Sequence, residues 1–264
     1  MPEQADAVDD RSRLKHLEAA ATKLIATGTF TPMPTLIAQL ERGSCTLDLP
    51  APTANPLTPA QVYAQRCDSV LIIAGVYKCK KCKRWHTTAA GGFVLTASGA
   101  AVTNYHVVNS PARHTLVAMA HDGAVCPVRE VLAASEAHDV AIVQLETRGT
   151  ALHPLPLCTD APVGTPVSVI SHPSNRLYTL STGLVSRYFR RKRKDAMVTM
   201  MNITADFARG SSGCPVLDSA GSAVGLVAST ESIYYTVEKD KKSNLQMVLK
   251  NCVPARSILA LVGK

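Results

Sequence analysis

Apolar residues near the N-terminus recur at helical spacing. Over 11–26, "RSRLKHLEAAATKLIA", Leu14, Leu17, Ala20, Ala21 and Leu24 fall on or near one stripe, which predicts an amphipathic helix. "PTLIAQLERG" (34–43) predicts a second helix, stopped by Gly43. Residues 46–58 hold three prolines and read as a linker. Thr58-Pro59 then has the form of an N-cap with proline at the first helical position, opening a short helix to about Arg66. Beyond it the period shortens. Strand-like runs occupy 69–77, 91–97, 100–104, 114–120, 124–133 and 139–146. After a turn-rich connection over 147–164 come runs at 165–171, 177–189, 196–204, 214–218, 222–229 and 244–250. Residues 254–264 read as a closing helix that begins at Pro254.

Six strands, a connection and six more predict a mainly β chain of two similar halves, each a six-stranded antiparallel barrel. The expected domains are a helical extension and linker over 1–58 and a β body over 59–264. The barrels fall at about 68–146 and 165–250. The extension is expected to be a separable element packed outside the barrels. Of the 264 residues 46% are hydrophobic, enough for a full core, so disorder is excluded as the state of the body. No apolar run reaches the roughly 18 residues of a membrane span. The first thirty residues lack a basic start, an apolar core and a small-residue cleavage site, so no signal peptide is visible. The eight cysteines are dispersed apart from one C-x-x-C pair, which leaves the redox compartment open.

The segment "RGSSGCP" (209–215) places two serines between glycines ahead of a strand-like run. A serine hydroxyl is a poor nucleophile until a base takes its proton and a third group fixes that base. His106 follows a strand pair closed by the Ser98-Gly99 turn. Asp139 opens the apolar run "DVAIVQLE" at what would be a barrel rim. These segments, "GFVLTASGAAVTNYHVV", "HDVAIVQLE" and "GSSGCPVLDSAGSAVGLVAS", resemble the three signature blocks of trypsin-like serine peptidases, closest to the bacterial Deg/HtrA branch. The resemblance covers roughly residues 68–262. It implies a trypsin-like pair of barrels and a serine endopeptidase acting on polypeptides through an acyl-enzyme, with no cofactor. Ser212 would be the nucleophile, His106 the general base and then acid, and Asp139 the group that holds the imidazole. The backbone N–H groups of Gly210 and Ser212 would form the oxyanion hole.

The sequence also departs from the family pattern. Ser211 stands where digestive proteases carry an aspartate that pairs with a new N-terminus, so activation by cleavage is not expected. Cys214 replaces the second glycine of the serine block and reads as a small buried thiol. No chain remains after residue 264 for the PDZ domains frequent in the Deg branch. Asp206, six residues before Ser212, has two readings. It would form the floor of a pocket for Arg or Lys, or it is structural while Phe207 and Thr230 line a pocket for small or medium apolar side chains. His172 reads as structural.

Two basic stretches carry much of the net charge of +8. "CKKCKRWH" (79–86) groups Cys79, Cys82 and His86, and structural zinc, a local disulfide and free thiols all remain open. Trp85 there reads as a packing residue. "RYFRRKRKD" (187–195) reads as a solvated hairpin loop, in preference to a nucleic-acid site or a device for steering acidic substrates. Two rivals to the peptidase reading are a peptidase-fold binding module, its cleft closed by 1–58, and a basic adaptor working through 187–194. Oligomeric state stays open. So does the compartment, periplasmic or secreted if a leader was removed and cytoplasmic otherwise.

Overall fold

The computed structural model describes residues 7–238 and 241–263. Helix α1 (Asp10–Ala26) starts at Asp9, whose side chain accepts the Ser12 N–H at 2.9 Å. Its apolar stripe buries Leu17, Ala21 and Leu24. Helix α2 (Met33–Ala38) continues as a 3-10 turn over Gln39–Glu41 and buries Met33, Leu36 and Leu40. A two-residue strand β1 (Cys45–Thr46) follows. Helix α3 (Pro59–Arg66) has a reciprocal cap: Thr58 accepts the Gln61 N–H while the Gln61 side chain accepts the Thr58 N–H.

The first barrel contains β2 (Val70–Lys78), β3 (Trp85–Val94), β4 (Ala100–Thr103), β5 (Thr115–Met119), β6 (Val125–Ser135) and β7 (Val140–Leu145). One helical turn, α4 (Tyr105–Val108), lies between β4 and β5. The second barrel contains β8 (Pro166–Ser171), β9 (Thr179–Arg193), β10 (Ala196–Ile203), β11 (Pro215–Leu217), β12 (Ala223–Glu238) and β13 (Lys241–Pro254). Both close, in the orders β2-β3-β4-β7-β6-β5 and β8-β9-β10-β13-β12-β11. These are the same circuit, since the first, second, third, sixth, fifth and fourth strands of each half neighbour one another. The two similar halves expected from the strand spacing are therefore alike in topology. Closure leaves neither barrel with a free sheet edge.

The structure departs from the sequence reading at several element ends. The closing helix is short: α5 covers Ala255–Leu259, after which the chain extends into β14 (Val262–Gly263). This strand pairs in parallel with β1, and Cys45 N donates to Leu261 O at 2.8 Å, so a distant partner overrides the local helical pattern. The run 190–193 is strand rather than loop, because β9 continues past Phe189 to Arg193 against β10. The extension packs against the outside of the body. Leu17 and Leu24 belong to the cluster that includes Val70, Phe93 and Val117, and Met33 and Leu36 to the one around Leu71, Val94 and Val143. Polar links reinforce this packing. Arg13 donates to His121 O at 2.7 Å, Met33 N to His114 O at 2.9 Å and Leu177 N to Asp10 Oδ1 at 2.8 Å. Helix α1 therefore touches the first barrel along its length and the second at its start.

Candidate active site

The segment that follows β4 places His106. Asn104 ends the strand, α4 begins at Tyr105, and the imidazole stands about half exposed on this single turn. Across from it, the β6–β7 turn presents Asp139 in a left-handed conformation, φ 58°, with its side chain buried. That conformation strains a non-glycine residue, and here the surroundings hold it. Asn104 Nδ2 donates to Asp139 O at 3.0 Å, and His106 N donates to Asp139 Oδ1 at 3.1 Å. His106 Nδ1 lies 3.0 Å from both Asp139 oxygens. An imidazole held this way carries its proton on Nδ1 and presents the bare Nε2 on the opposite side of the ring.

The serine segment is placed by glycines. Gly210 has φ 99° and Gly213 φ 86°, both in the region that side chains resist. A Cβ on Gly213 would lie 2.2 Å from Gly91 O and 2.5 Å from Thr103 Oγ1. The turn therefore docks directly on β3, where Gly91 N donates to Ser212 O at 2.7 Å. Within the turn Ser211 N, Gly213 N and Cys214 N donate to Ala208 O, Val227 O and Ser211 O. Arg209 O is taken by Ser174 N at 2.6 Å. Among the described residues, the amides of Arg209, Gly210 and Ser212 are left in this turn without a backbone acceptor. His106, Ser212, Gly210 and the stretch 88–90 of β3 line one cleft of about 160 Å³. Ser212 Oγ donates to Ala228 O at 3.4 Å. Ser211 is fully buried, and so is Cys214, whose thiol burial pushes up in pKa.

The other residues singled out in the sequence also have defined places. Asp206 is 87% exposed and pairs with Lys250 at 3.1 Å. The same ammonium, on a side chain only 13% exposed, donates to Phe207 O at 2.8 Å, and Lys250 lies opposite Thr230 in the β12–β13 ladder. Asp206, Phe207 and Thr230 thus come together around a lysine that sequence reasoning missed. His172 is fully buried. Its Nε2 faces Leu71 O at 3.3 Å and its Nδ1 accepts the Tyr178 N–H at 3.1 Å. Burial pulls its pKa down to about 4, so it is a neutral scaffold residue. The tip of the β9–β10 hairpin reaches the first barrel, with Arg193 3.7 Å from Asp139 Oδ2 and Lys194 paired with Glu136. Cys79 and Cys82 are free thiols, and with His86 they form a group whose ligand atoms all lie within 4.8 Å of one another.

Two closed barrels, with an imidazole, a buried carboxylate and a glycine-framed serine gathered where they meet, define the architecture of trypsin-like serine peptidases. The chain belongs to the trypsin-like peptidase domain family, which matches residues 90–226, just over half of its length. Among curated proteins it is similar to protease Do-like 1, chloroplastic, of Arabidopsis thaliana (31% identical over 147 residues, 52% of this chain and 32% of that one). It is also similar to the putative serine protease HhoA of Synechocystis sp. (27% over 168 residues, 60% and 42%) and to protease Do-like 5, chloroplastic, of Arabidopsis thaliana (28% over 152 residues, 53% and 47%). The matched region spans about a third to a half of the length of these relatives. A solved structure of Deg5 shares the fold, with a TM-score of 0.58 at 22% identity, over 76% of this chain and 90% of that one. These relatives are of the Deg/HtrA kind that the sequence motifs resemble. The relatives come from plant chloroplasts and a cyanobacterium, so they do not establish the bacterial origin that the resemblance suggested.

Proposed function

We propose that this chain is a serine endopeptidase in which Ser212 attacks the peptide carbonyl, His106 carries the proton and Asp139 holds the imidazole. The observation that carries the reading is the Asp139 carboxylate with both oxygens 3.0 Å from His106 Nδ1, on an imidazole that shares its cleft with Ser212. In the resting geometry the serine hydroxyl rests on Ala228 O. The reaction requires it to turn to Nε2, and such contacts commonly tighten only when substrate is bound. As Oγ bonds to the carbonyl carbon, its proton passes to Nε2. The charge that develops on the carbonyl oxygen is met by the N–H groups of Gly210 and Ser212, and loss of one such donor typically costs about 10²–10³ in turnover. The imidazolium then gives its proton to the leaving amine, and water hydrolyses the acyl-enzyme by the same route in reverse.

For the side chain before the scissile bond, Lys250 supports the uncharged alternative. Its ammonium occupies Asp206 and Phe207 O, so an incoming Arg or Lys would find the carboxylate already paired. This favours the reading in which Phe207 and Thr230 line the pocket, for small or medium apolar residues. A fluorophosphonate probe tests the chemistry. The full chain should label once, at Ser212. Ser212→Ala should not label, and Ser211→Ala should still do so because Ser211 faces the interior. A wild-type chain that stays unlabelled, or a label that survives Ser212→Ala, refutes the assignment.

A further inference from the structure

We infer that Cys79, Cys82 and His86 bind one soft divalent cation, of which zinc is the best fit, and that Glu18 of α1 holds His86 in position to do so. The tip of the β2–β3 hairpin brings the ligands together. Cys79 N donates to Arg84 O at 2.8 Å and Lys83 N to Cys79 O at 3.0 Å, with Lys83 left-handed at φ 61°. This tight reversal puts both sulfurs on the same side of the turn as the first residues of β3. His86 sits there, with Nε2 3.1 Å from Cys82 Sγ.

The spacing fits a small metal. Zinc bonds of about 2.3 Å to sulfur and 2.0–2.1 Å to nitrogen give a tetrahedron with edges of roughly 3.5–3.8 Å. The three ligand atoms lie within 4.8 Å of one another, so side-chain adjustments of an ångström or less would close the site. Two thiolates and an imidazole select zinc or another soft ion, and disfavour calcium and magnesium, which need oxygen ligands. Three protein ligands leave a fourth position for water, consistent with the exposure of Cys82.

The second observation lies outside the hairpin. Glu18 Oε2 is 3.1 Å from His86 Nδ1. A carboxylate that accepts from Nδ1–H sets the tautomer and turns the Nε2 lone pair towards the sulfurs. Histidines that bind metals are commonly oriented in this way. Glu18 belongs to α1, so a bound ion would tie the N-terminal helix to the hairpin. Two to four residues beyond His86, β3 lines the catalytic cleft at Thr88, Ala89 and Ala90. The metal would therefore steady the wall against which a substrate lies, without taking part in the chemistry.

The test uses the full chain, reduced with a phosphine, stripped of metal and titrated with zinc against a chromophoric chelator. A parallel titration with cobalt reports sulfur ligation through its charge-transfer absorption. One equivalent should bind, with a tetrahedral cobalt spectrum that is lost in Cys79→Ser and Cys82→Ser. Cys82 is exposed at a hairpin tip, so its variant should keep the wild-type circular dichroism. Glu18→Gln should retain the cobalt spectrum and weaken zinc binding by about 10–100-fold. A reduced wild-type chain that takes up no stoichiometric zinc, or zinc affinity unchanged in Cys82→Ser, overturns the site. Unchanged affinity in Glu18→Gln overturns the positioning role.

Discussion

Acid should weaken this fold at His172. Its two hydrogen bonds require the neutral ring with the proton on Nε2, because Nδ1 must accept from Tyr178 N while Nε2 donates to Leu71 O. A second proton, on Nδ1, would face the Tyr178 N–H and would sit in a site with no access to solvent. The titratable groups recorded against the ring give no help: the Tyr178 hydroxyl and the Cys214 thiol are both pushed up by burial and stay neutral. The folded-state pKa of about 4 lies below the roughly 6.5 of an unfolded histidine, so the unfolded chain takes up the proton first. The contribution is complete above about pH 6.5 and is lost as pH falls towards 4. Its limit is about 3 kcal/mol, of which about 2 kcal/mol should be gone at pH 5. Urea unfolding at pH 7.5 and pH 5 measures this when wild type is compared with His172→Asn. The asparagine keeps an acceptor for Tyr178 N and does not titrate. The variant should be the less stable at pH 7.5, with the gap narrowing by about 2 kcal/mol at pH 5. All other groups titrate in both proteins, so an equal gap at the two pH values would refute the argument.

Three further outcomes follow from the geometry. Leu17→Ala should lower unfolding stability by about 2–5 kcal/mol in chemical denaturation, because the leucine is fully buried between α1 and the first barrel. Gly213→Ala should abolish fluorophosphonate labelling, since its Cβ would collide with Gly91 O and the φ is left-handed. A variant that labelled at the wild-type rate would show that the turn does not need its dock on β3. Lys250→Ala should raise cleavage after Arg and Lys in a peptide library by unpairing Asp206, whereas an unchanged profile would remove both residues from the pocket.

The sequence was most legible where the cause is local. The helix cap at Thr58, the alternation through the barrel strands and the three motif blocks each depend on a few neighbouring residues. The strands misjudged in length are those whose ends leave the core. The runs 190–193 and 230–238 lie in hairpins with both faces largely open to water, so burial imprints no period of two on them. The Lys83 turn likewise carries no apolar signal. The closing helix was over-extended because "SILALVGK" does not reveal that Cys45 waits as a backbone donor to Leu261 O. Lys250 and Arg193 were missed for a similar reason. Each meets its partner across more than forty positions, and one lysine or arginine in a basic chain has no distinguishing pattern. The separability of 1–58 could not be judged either, since the stripe through Leu17 marks a buried face but not what it packs on.

The gathered residues do not divide evenly between the two halves. His106 and Asp139 both come from the first barrel, and they are joined by hydrogen bonds within it. Ser212 comes from the second, yet its turn is located by first-barrel atoms, Gly91 O and Thr103 Oγ1, against a glycine with no room for a Cβ. The second barrel returns the contact through Arg193, beside the carboxylate. His172 adds a second point, since it belongs to the second barrel and reaches Leu71 O in the first, while its own carbonyl closes off the space beside Gly210. The distance between Ser212 and His106 is therefore set by the docking of the barrels as well as by either one alone. A few tenths of an ångström in that docking would change the serine–imidazole contact while leaving both barrels intact, and α1, anchored on the first barrel and touching the second through Asp10, lies across the same junction.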